Sequence, residues 1–318
     1  MSGLPKHVEI NEEGPREGFQ IEKAPIPTAH KIELIDALSE TGVRHIQVAS
    51  FVSPKHVPGW ADADAVVEGF RKREGVDYTA LWLNAKGFER ALAHRDRLAI
   101  TGSIRICASE PFLMRNQRID FATNIANEHA QMEVYKAAGI PVTAIGVMAA
   151  FGCNFQGDIP TARVLEAIGQ ALEIAAAHDL KPREVRLADT MAWATPVHIR
   201  RTVGAVQDAY PELDIVLHLH DTRGMAVANA FAGLEMGVAR YDSAVAGLGG
   251  CPFAGHAGAA GNICTEDLVF LCEEMGIETG IDLDRLIEVG NLAERIFGRQ
   301  LPGSVMHGGT LRRFRAAA

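Results

Sequence analysis

No run of the 318-residue chain is apolar for long enough to cross a membrane as a helix. The first residues, MSGLPKHVEI, also lack the apolar core of a signal peptide. The five cysteines, Cys107, Cys153, Cys251, Cys264 and Cys272, are odd in number and form no C-x-x-C pair. That speaks against a disulfide framework or a structural zinc site. A cytoplasmic location with reduced thiols is the expectation, with most of these cysteines serving as small core residues. Basic residues are outnumbered, 31 Lys and Arg against 40 Asp and Glu, for a net charge of -9. Nucleic acid, which wants a basic surface, is therefore not an expected partner, although a local basic pocket for an anionic ligand remains open. No low-complexity stretch or linker interrupts the chain, so a single domain over residues 1–318 is expected. No G-x-G-x-x-G follows the first apolar run, which weighs against an open dinucleotide-binding sheet.

What the chain does have is alternation. Short, β-branched-rich runs predict strands at about 7–11, 44–50, 78–83, 99–106, 142–150, 184–189, 214–220 and 241–247. Amphipathic stretches lie between them. TAHKIELIDALSETG places Ile32, Ile35 and Leu38 on one face, with a start at Thr28 and a stop at Gly42. TARVLEAIGQALEIAAAHDL and TPVHIRRTVGAVQDAY follow the same logic, and NAFAGLEMG ends at Gly237. Eight strand–helix units in sequence predict an α/β chain folded as a (β/α)8 TIM barrel. CTEDLVFLCEEMG would be the eighth helix, and DLDRLIEVGNLAERIFG an additional C-terminal helix.

In such a barrel, function sits at the C-terminal strand ends and the loops after them. Polar residues gather at those places. EEGPREGFQIEK follows the first strand, QVASFVSPK ends the second, ADT ends the sixth, and GLGGCPFAGHAGAAGN follows the eighth. The seventh strand runs into HLHDTRG, His218 to Gly224. Strand side chains alternate, so His218 and His220 share one face while Leu217 and Leu219 share the other. Two imidazoles placed so are either a satisfied polar pair in the core or a metal-ligand pair.

The ordered set GPREGFQIEK, SFVSPKHVP, ADTMAWATP, HLHDTRGMAVANA, VAGLGGCPFA and GNICTEDLV resembles the 3-hydroxy-3-methylglutaryl-CoA lyase family over nearly the whole chain. That family sits within a wider group of metal-dependent TIM-barrel lyases and synthases. The resemblance implies that Glu17, His218, His220 and Asn262 bind one divalent metal, Mg2+ or Mn2+. It implies Arg16 beside the reacting carbonyl, Cys251 as a mobile acid/base on its glycine-rich loop, and Asp189 close to the substrate hydroxyl. Imidazole, carboxylate and amide oxygen suit Mg2+ or Mn2+ better than zinc, which prefers fewer and softer ligands. Gln47, Ser50, Lys55, Thr190 and His256 are candidate substrate-binding residues. Lys55 could meet a CoA phosphate or the acyl carboxylate, and equally reads as a surface lysine at a helix start.

The chain departs from the family pattern at three places. Glu17 stands where an aspartate is usual, Gln47 stands where these lyases carry a glutamate, and the segment from Cys251 to Asn262 is two residues longer and introduces His256. The activity implied is retro-Claisen cleavage of a 3-hydroxyacyl-CoA dicarboxylate, with 3-hydroxy-3-methylglutaryl-CoA the default substrate. A citramalyl-CoA-type lyase, a condensing synthase of the same group and a non-catalytic regulator on the same barrel are the alternatives. The partner expected is a small acyl-CoA molecule, with no membrane, and the family suggests a homodimer or higher oligomer.

Overall fold

A computed structural model describes residues 3–22, 25–250 and 261–315, with Arg313 described in its backbone alone. Each of the eight expected strands coincides with an observed one. They are β1 (Glu9–Glu12), β2 (His45–Ser50), β3 (Asp77–Leu81), β4 (Gly102–Cys107), β5 (Val142–Met148), β6 (Glu184–Ala188), β7 (Asp214–His218) and β8 (Arg240–Ser243). A two-stranded hairpin, Gly152–Cys153 with Gly157–Asp158, was not expected from the sequence.

The chain packs as two compact units. One comprises Lys6–Ala99, Asp242–Gly250 and the C-terminal residues from 261. Its strands run in the order β3-β2-β1, with the second half of β8 beside β1. The β1–β2 and β2–β3 pairs are parallel, in register at Asn11 with His45 and Ile46 with Tyr78. Asn11 Nδ2 donates to Asp242 Oδ1 at 2.9 Å, and Glu13 N donates to Ser243 O at 2.8 Å. Ile10, Ile46 and Val48 are buried between these strands and the helices around them.

The other unit is formed chiefly by Ile100–Tyr241. Its strands run β7-β6-β5-β4, all in parallel pairs, with the first half of β8 beside β7. The helix Thr161–Ala177 buries Val164, Ala167, Ile168, Ala171, Ile174 and Ala175, the i, i+3, i+4, i+7 stripe that its sequence shows. The helix Pro196–Ala209 starts where Thr195 accepts from His198 N and a proline occupies the first turn.

Two expectations need correction. In the helix Thr28–Ser39 the buried face is Lys31, Leu34, Ile35 and Leu38, with Ile32 only partly covered. Lys31 tolerates burial because Nζ donates to Gly59 O and to Asp62 Oδ1, both at 2.5 Å, and lies 4.8 Å from the Trp60 ring centroid. The eighth strand stops at Ser243 and does not run to 247. Ala246 takes a left-handed φ of 56°, and the chain turns there as the short 3-10 segment Val245–Gly247. The C-terminal expectation matches: Thr265–Glu274 is followed by a further helix, Leu283–Phe297.

Candidate active site

In the first unit, β1 delivers Glu12 into a buried position at its C-terminal end. Glu12 Oε1 accepts from Gly14 N (2.7 Å) and Val245 N (2.9 Å), and Oε2 accepts from Thr265 Oγ1 (2.6 Å). A Cβ on Gly14 would meet Glu12 Oε1 at 2.4 Å, so the chain needs glycine to turn over its own carboxylate. Pro15 then starts the helix Gly14–Ile21. That helix carries Arg16 and Glu17 in its first turn.

Arg16 is held on three sides. Its Nε donates to Gln47 Oε1, and its Nη2 donates to Glu13 Oε2 (2.6 Å) and pairs with Glu17 Oε1 (2.8 Å). Its backbone carbonyl accepts from Trp60 Nε1 at 2.9 Å. Burial opposes its charge, but Glu17 and Glu13 outweigh it and hold the guanidinium above its ordinary pKa. Among the described residues, Nη1 takes no hydrogen bond.

Glu17 Oε2 accepts from Asn262 Nδ2 (2.5 Å) and from Gly250 N (3.3 Å). Asn262 Nδ2 also donates to Leu248 O at 3.1 Å. Both neighbours of that nitrogen are acceptors only, which fixes the amide orientation. Asn262 is fully buried, and its Oδ1 has no hydrogen-bond partner among the described residues. A buried, unpaired amide oxygen beside a carboxylate is the donor set that a hard divalent cation takes. Gly249, at a φ of 84°, lies so close that a Cβ would stand 2.5 Å from Glu17 Cβ. Ser50 is fully buried at the end of β2 with its Oγ unpartnered among the described residues, and Lys55 is exposed in the turn that follows.

In the second unit, the backbone assembles the site. His220 Nδ1 lies 2.8 Å from Asp189 O, so the ring donates to that carbonyl through Nδ1. Asp189 N donates to His218 O at 2.8 Å. The two imidazoles are buried, with ring centroids 5.0 Å apart and planes at 88°. Asp189 Oδ1 accepts from Trp193 N (2.7 Å) and Ala194 N (3.1 Å), while Oδ2 is buried without a hydrogen-bond partner among the described residues. Burial pushes the Asp189 carboxyl up to about 6, against the pull of His220, its backbone donors and His218. Thr190 Oγ1 accepts from Ala149 N at 2.9 Å.

Cys251 and His256 lie outside the described residues. The other four cysteines are buried, as expected of core thiols. Burial raises Cys107 and Cys272 to about 12, so neither is a ready nucleophile.

Three groups of this arrangement were not singled out from sequence. Glu13 has no spacing signal, because it is the second of two adjacent glutamates in a loop and only its partners distinguish it. Arg223 belongs to the HLHDTRG run, and its Nη1 donates to Met191 O (2.8 Å) and Ala192 O (3.0 Å). It thereby holds the turn after β6, where Ala192 takes a left-handed φ of 55°. Glu266, fully buried, accepts from Ala246 N and clamps the turn after β8.

Parallel strands followed by loops rich in carboxylate, imidazole and guanidinium are the make-up of a barrel enzyme's active face. The HMGL-like family model matches residues 7–293. Mitochondrial hydroxymethylglutaryl-CoA lyase of Homo sapiens is 39% identical over 306 residues, covering 96% of this chain and 90% of that protein. The cytoplasmic 3-hydroxy-3-methylglutaryl-CoA lyase of Mus musculus is 38% identical over 291 residues, covering 91% and 81%. Among solved structures, hydroxymethylglutaryl-CoA lyase from Pseudomonas aeruginosa superposes with a TM-score of 0.86 at 36% identity, covering 99% of each chain. The lyase from Acinetobacter baumannii, solved with coenzyme A and 3-methylmalate, gives 0.86 at 36% identity over 98% and 97%. The chain belongs to the HMGL-like family, its fold is the (β/α)8 barrel, and its class is carbon–carbon lyase. Glu17, His218 and His220 are groups of the kinds that could hold a metal ion. Among the described residues, no helix is long and apolar enough to cross a membrane.

Proposed function

We propose that this protein cleaves 3-hydroxy-3-methylglutaryl-CoA to acetoacetate and acetyl-CoA. The observation that carries the reading is Arg16: a buried, permanently charged group locked by Gln47, Glu13 and Glu17, with one nitrogen left to meet substrate. Its neighbours match the needs of retro-Claisen chemistry. We assign Glu17, His218, His220 and Asn262 as ligands of one Mg2+ or Mn2+, supported by the unpaired Oδ1 of Asn262 and the fixed tautomer of His220. A divalent cation held there supplies the positive charge that makes the substrate hydroxyl more acidic.

The remaining steps belong to the chain. Asp189, with Oδ2 unpaired and its pKa raised toward neutrality, accepts the hydroxyl proton. The hydroxyl oxygen becomes the ketone of acetoacetate as the carbon–carbon bond breaks, and the bonding electrons pass to the acyl-CoA fragment as its enolate. Arg16 Nη1 stabilises the developing oxygen charge. The Cys251 thiol gives its proton to the enolate carbon, and acetyl-CoA results. Gln47, Ser50, Lys55, Thr190 and His256 complete the substrate contacts in this reading. The whole of residues 1–318 acts as one domain, in a homodimer or larger assembly, in the cytoplasm.

The test is product release from a panel of hydroxyacyl-CoA esters by the purified, chelator-treated protein with and without added Mg2+ or Mn2+. Metal-dependent acetoacetate and acetyl-CoA from the six-carbon ester is the expected result. Pyruvate release from citramalyl-CoA, with the six-carbon ester untouched, would reject the substrate assignment. In the same assay Cys251→Ser should lose turnover while Cys107→Ser and Cys272→Ser keep it. Full activity in Cys251→Ser would remove the thiol from the mechanism.

A further inference from the structure

We propose that Glu13 is a positioning residue for Arg16, acting through a closed ring of three side chains that makes glutamine the required residue at position 47. The ring runs from Arg16 Nε to Gln47 Oε1, from Gln47 Nε2 to Glu13 Oε1 at 3.4 Å, and from Glu13 Oε2 back to Arg16 Nη2 at 2.6 Å. Glu13 is 5% exposed, the Arg16 side chain is 13% exposed, and Gln47 is partly covered.

The donor and acceptor inventory explains the residue choice. Arginine can only donate, and a carboxylate can only accept. The residue between them must accept from the one and donate to the other. An amide does both whatever the pH, whereas a carboxyl of the same shape does both only while it keeps a proton, and the ring fixes which way the amide points. A carboxylate at position 47 would face Glu13 Oε1 where an N–H···O bond now lies, setting two anions together in a buried place. It would also surround Arg16 with a third carboxylate beside Glu13 and Glu17. The departure of this chain from its family at position 47 is therefore paired with a carboxylate at position 13.

The geometry also assigns a consequence for Arg16. The Nε and Nη2 hydrogens form one edge of the planar guanidinium, and the ring closes on that edge. Glu17 Oε1 takes the rest of Nη2 at 2.8 Å. What is left for substrate is Nη1, in a plane that Glu13 and Gln47 fix together. This inference rests on the reading of Arg16 as the group that stabilises developing charge.

The test is a double-mutant cycle on the metal-loaded full chain with Gln47→Glu, Glu13→Gln and the two combined. Each single change breaks the ring: the first places acid against acid, the second removes the carboxylate. The combined change restores a closed ring of opposite sense, with the carboxylate on strand β2. Each single variant is expected to lose about 10–100-fold in kcat with KM changed by less than about 3-fold, and the swap to recover to within about 5-fold of the parent. Wild-type kcat in Gln47→Glu, or a swap as poor as the product of its parts, overturns the proposal. Two further measurements separate this from failure of the function reading. If Arg16→Met keeps normal turnover, Arg16 has no charge-stabilising role whatever the ring does. If the parent chain cleaves none of the esters, urea midpoints of the same four chains still test the ring: recovery in the swap supports it, and additive loss overturns it.

Discussion

The loop after β1 and the turn after β6 hold their functional side chains in opposite ways. After β1, side chains hold side chains: Arg16 rests on Gln47, Glu13 and Glu17, and Glu17 rests on Asn262. After β6, the main chain does the holding. Asp189 Oδ1 sits on two backbone N–H groups, His220 on a backbone carbonyl, and Thr190 on a backbone N–H. A network of charged side chains shares its energy, so the loss of one member is felt by the rest. A side chain seated on backbone can be removed with its neighbours left in place. The two regions should therefore respond differently to the same kind of mutation.

The largest effect is expected at Arg16. In the proposed mechanism Arg16→Met removes the group that stabilises developing charge, and it leaves Glu13 and Glu17 buried without their shared cation. Turnover should fall by about 10³-fold or more, and stability by about 3 kcal/mol, because uncompensated buried charge is costly. Arg16→Lys should recover little, since an ammonium cannot bond Gln47 and two carboxylates along one planar edge. Single-turnover kinetics and thermal melts on the same samples check both parts. A variant with lost turnover and an unchanged melt would mean that the carboxylates relax independently and that the side-chain network after β1 does not share its energy.

A smaller and more local effect is expected after β6. His220→Ala should weaken Mg2+ or Mn2+ binding by at least about 100-fold in titration calorimetry while the melting temperature moves little. Thr190→Val, which removes only the acceptor for Ala149 N, should cost about 1 kcal/mol of stability. The two changes combined should be additive in stability within about 0.5 kcal/mol. A strong coupling between them would show that the backbone turn transmits strain, as the left-handed Ala149 and Ala192 would allow.

The same contrast decides what was legible in the sequence. Buried parallel strands read as short β-branched runs, so all eight were visible. The i, i+3, i+4 stripe of Thr161–Ala177 was equally plain. His218 and His220 were legible because a period of two puts both on one face. The failures come where a residue's role is set by distant partners. Lys31 lies on the apolar face of its helix because Gly59 and Asp62 satisfy it, from 28 and 31 residues away. The overrun of the eighth strand has the same origin, since Glu266 holds Ala246 N in a turn that VAG alone does not announce. Glu13 carries no signal of its own, because one loop carboxylate looks like the next until its partner Gln47, 34 positions on, is in view.

The smallest effect on activity, and the one that tests burial alone, concerns Glu12 and Glu266. Both are fully buried in the first unit, with Glu12 on Thr265 Oγ1 and two backbone N–H groups and Glu266 on Ala246 N and the Cys264 thiol. Burial raises Glu12 from 4.5 to about 8 and Glu266 from 4.5 to about 7, outweighing the hydrogen bonds that favour the anion. Each group then keeps a proton in the folded chain that the unfolded chain has lost. The folded state binds more protons between about pH 4.5 and each raised pKa, so stability falls as pH rises through that window. The loss should be complete above about pH 8, and the melting temperature should drop by about 2–4 °C per kcal/mol lost. In Glu12→Gln/Glu266→Gln neither group titrates, and the slope between pH 5 and pH 9 should be flatter than in the parent. Melts of both chains in matched buffers make the comparison. Parallel slopes would show that the hydrogen-bond donors around these carboxylates, and not burial, set their charge.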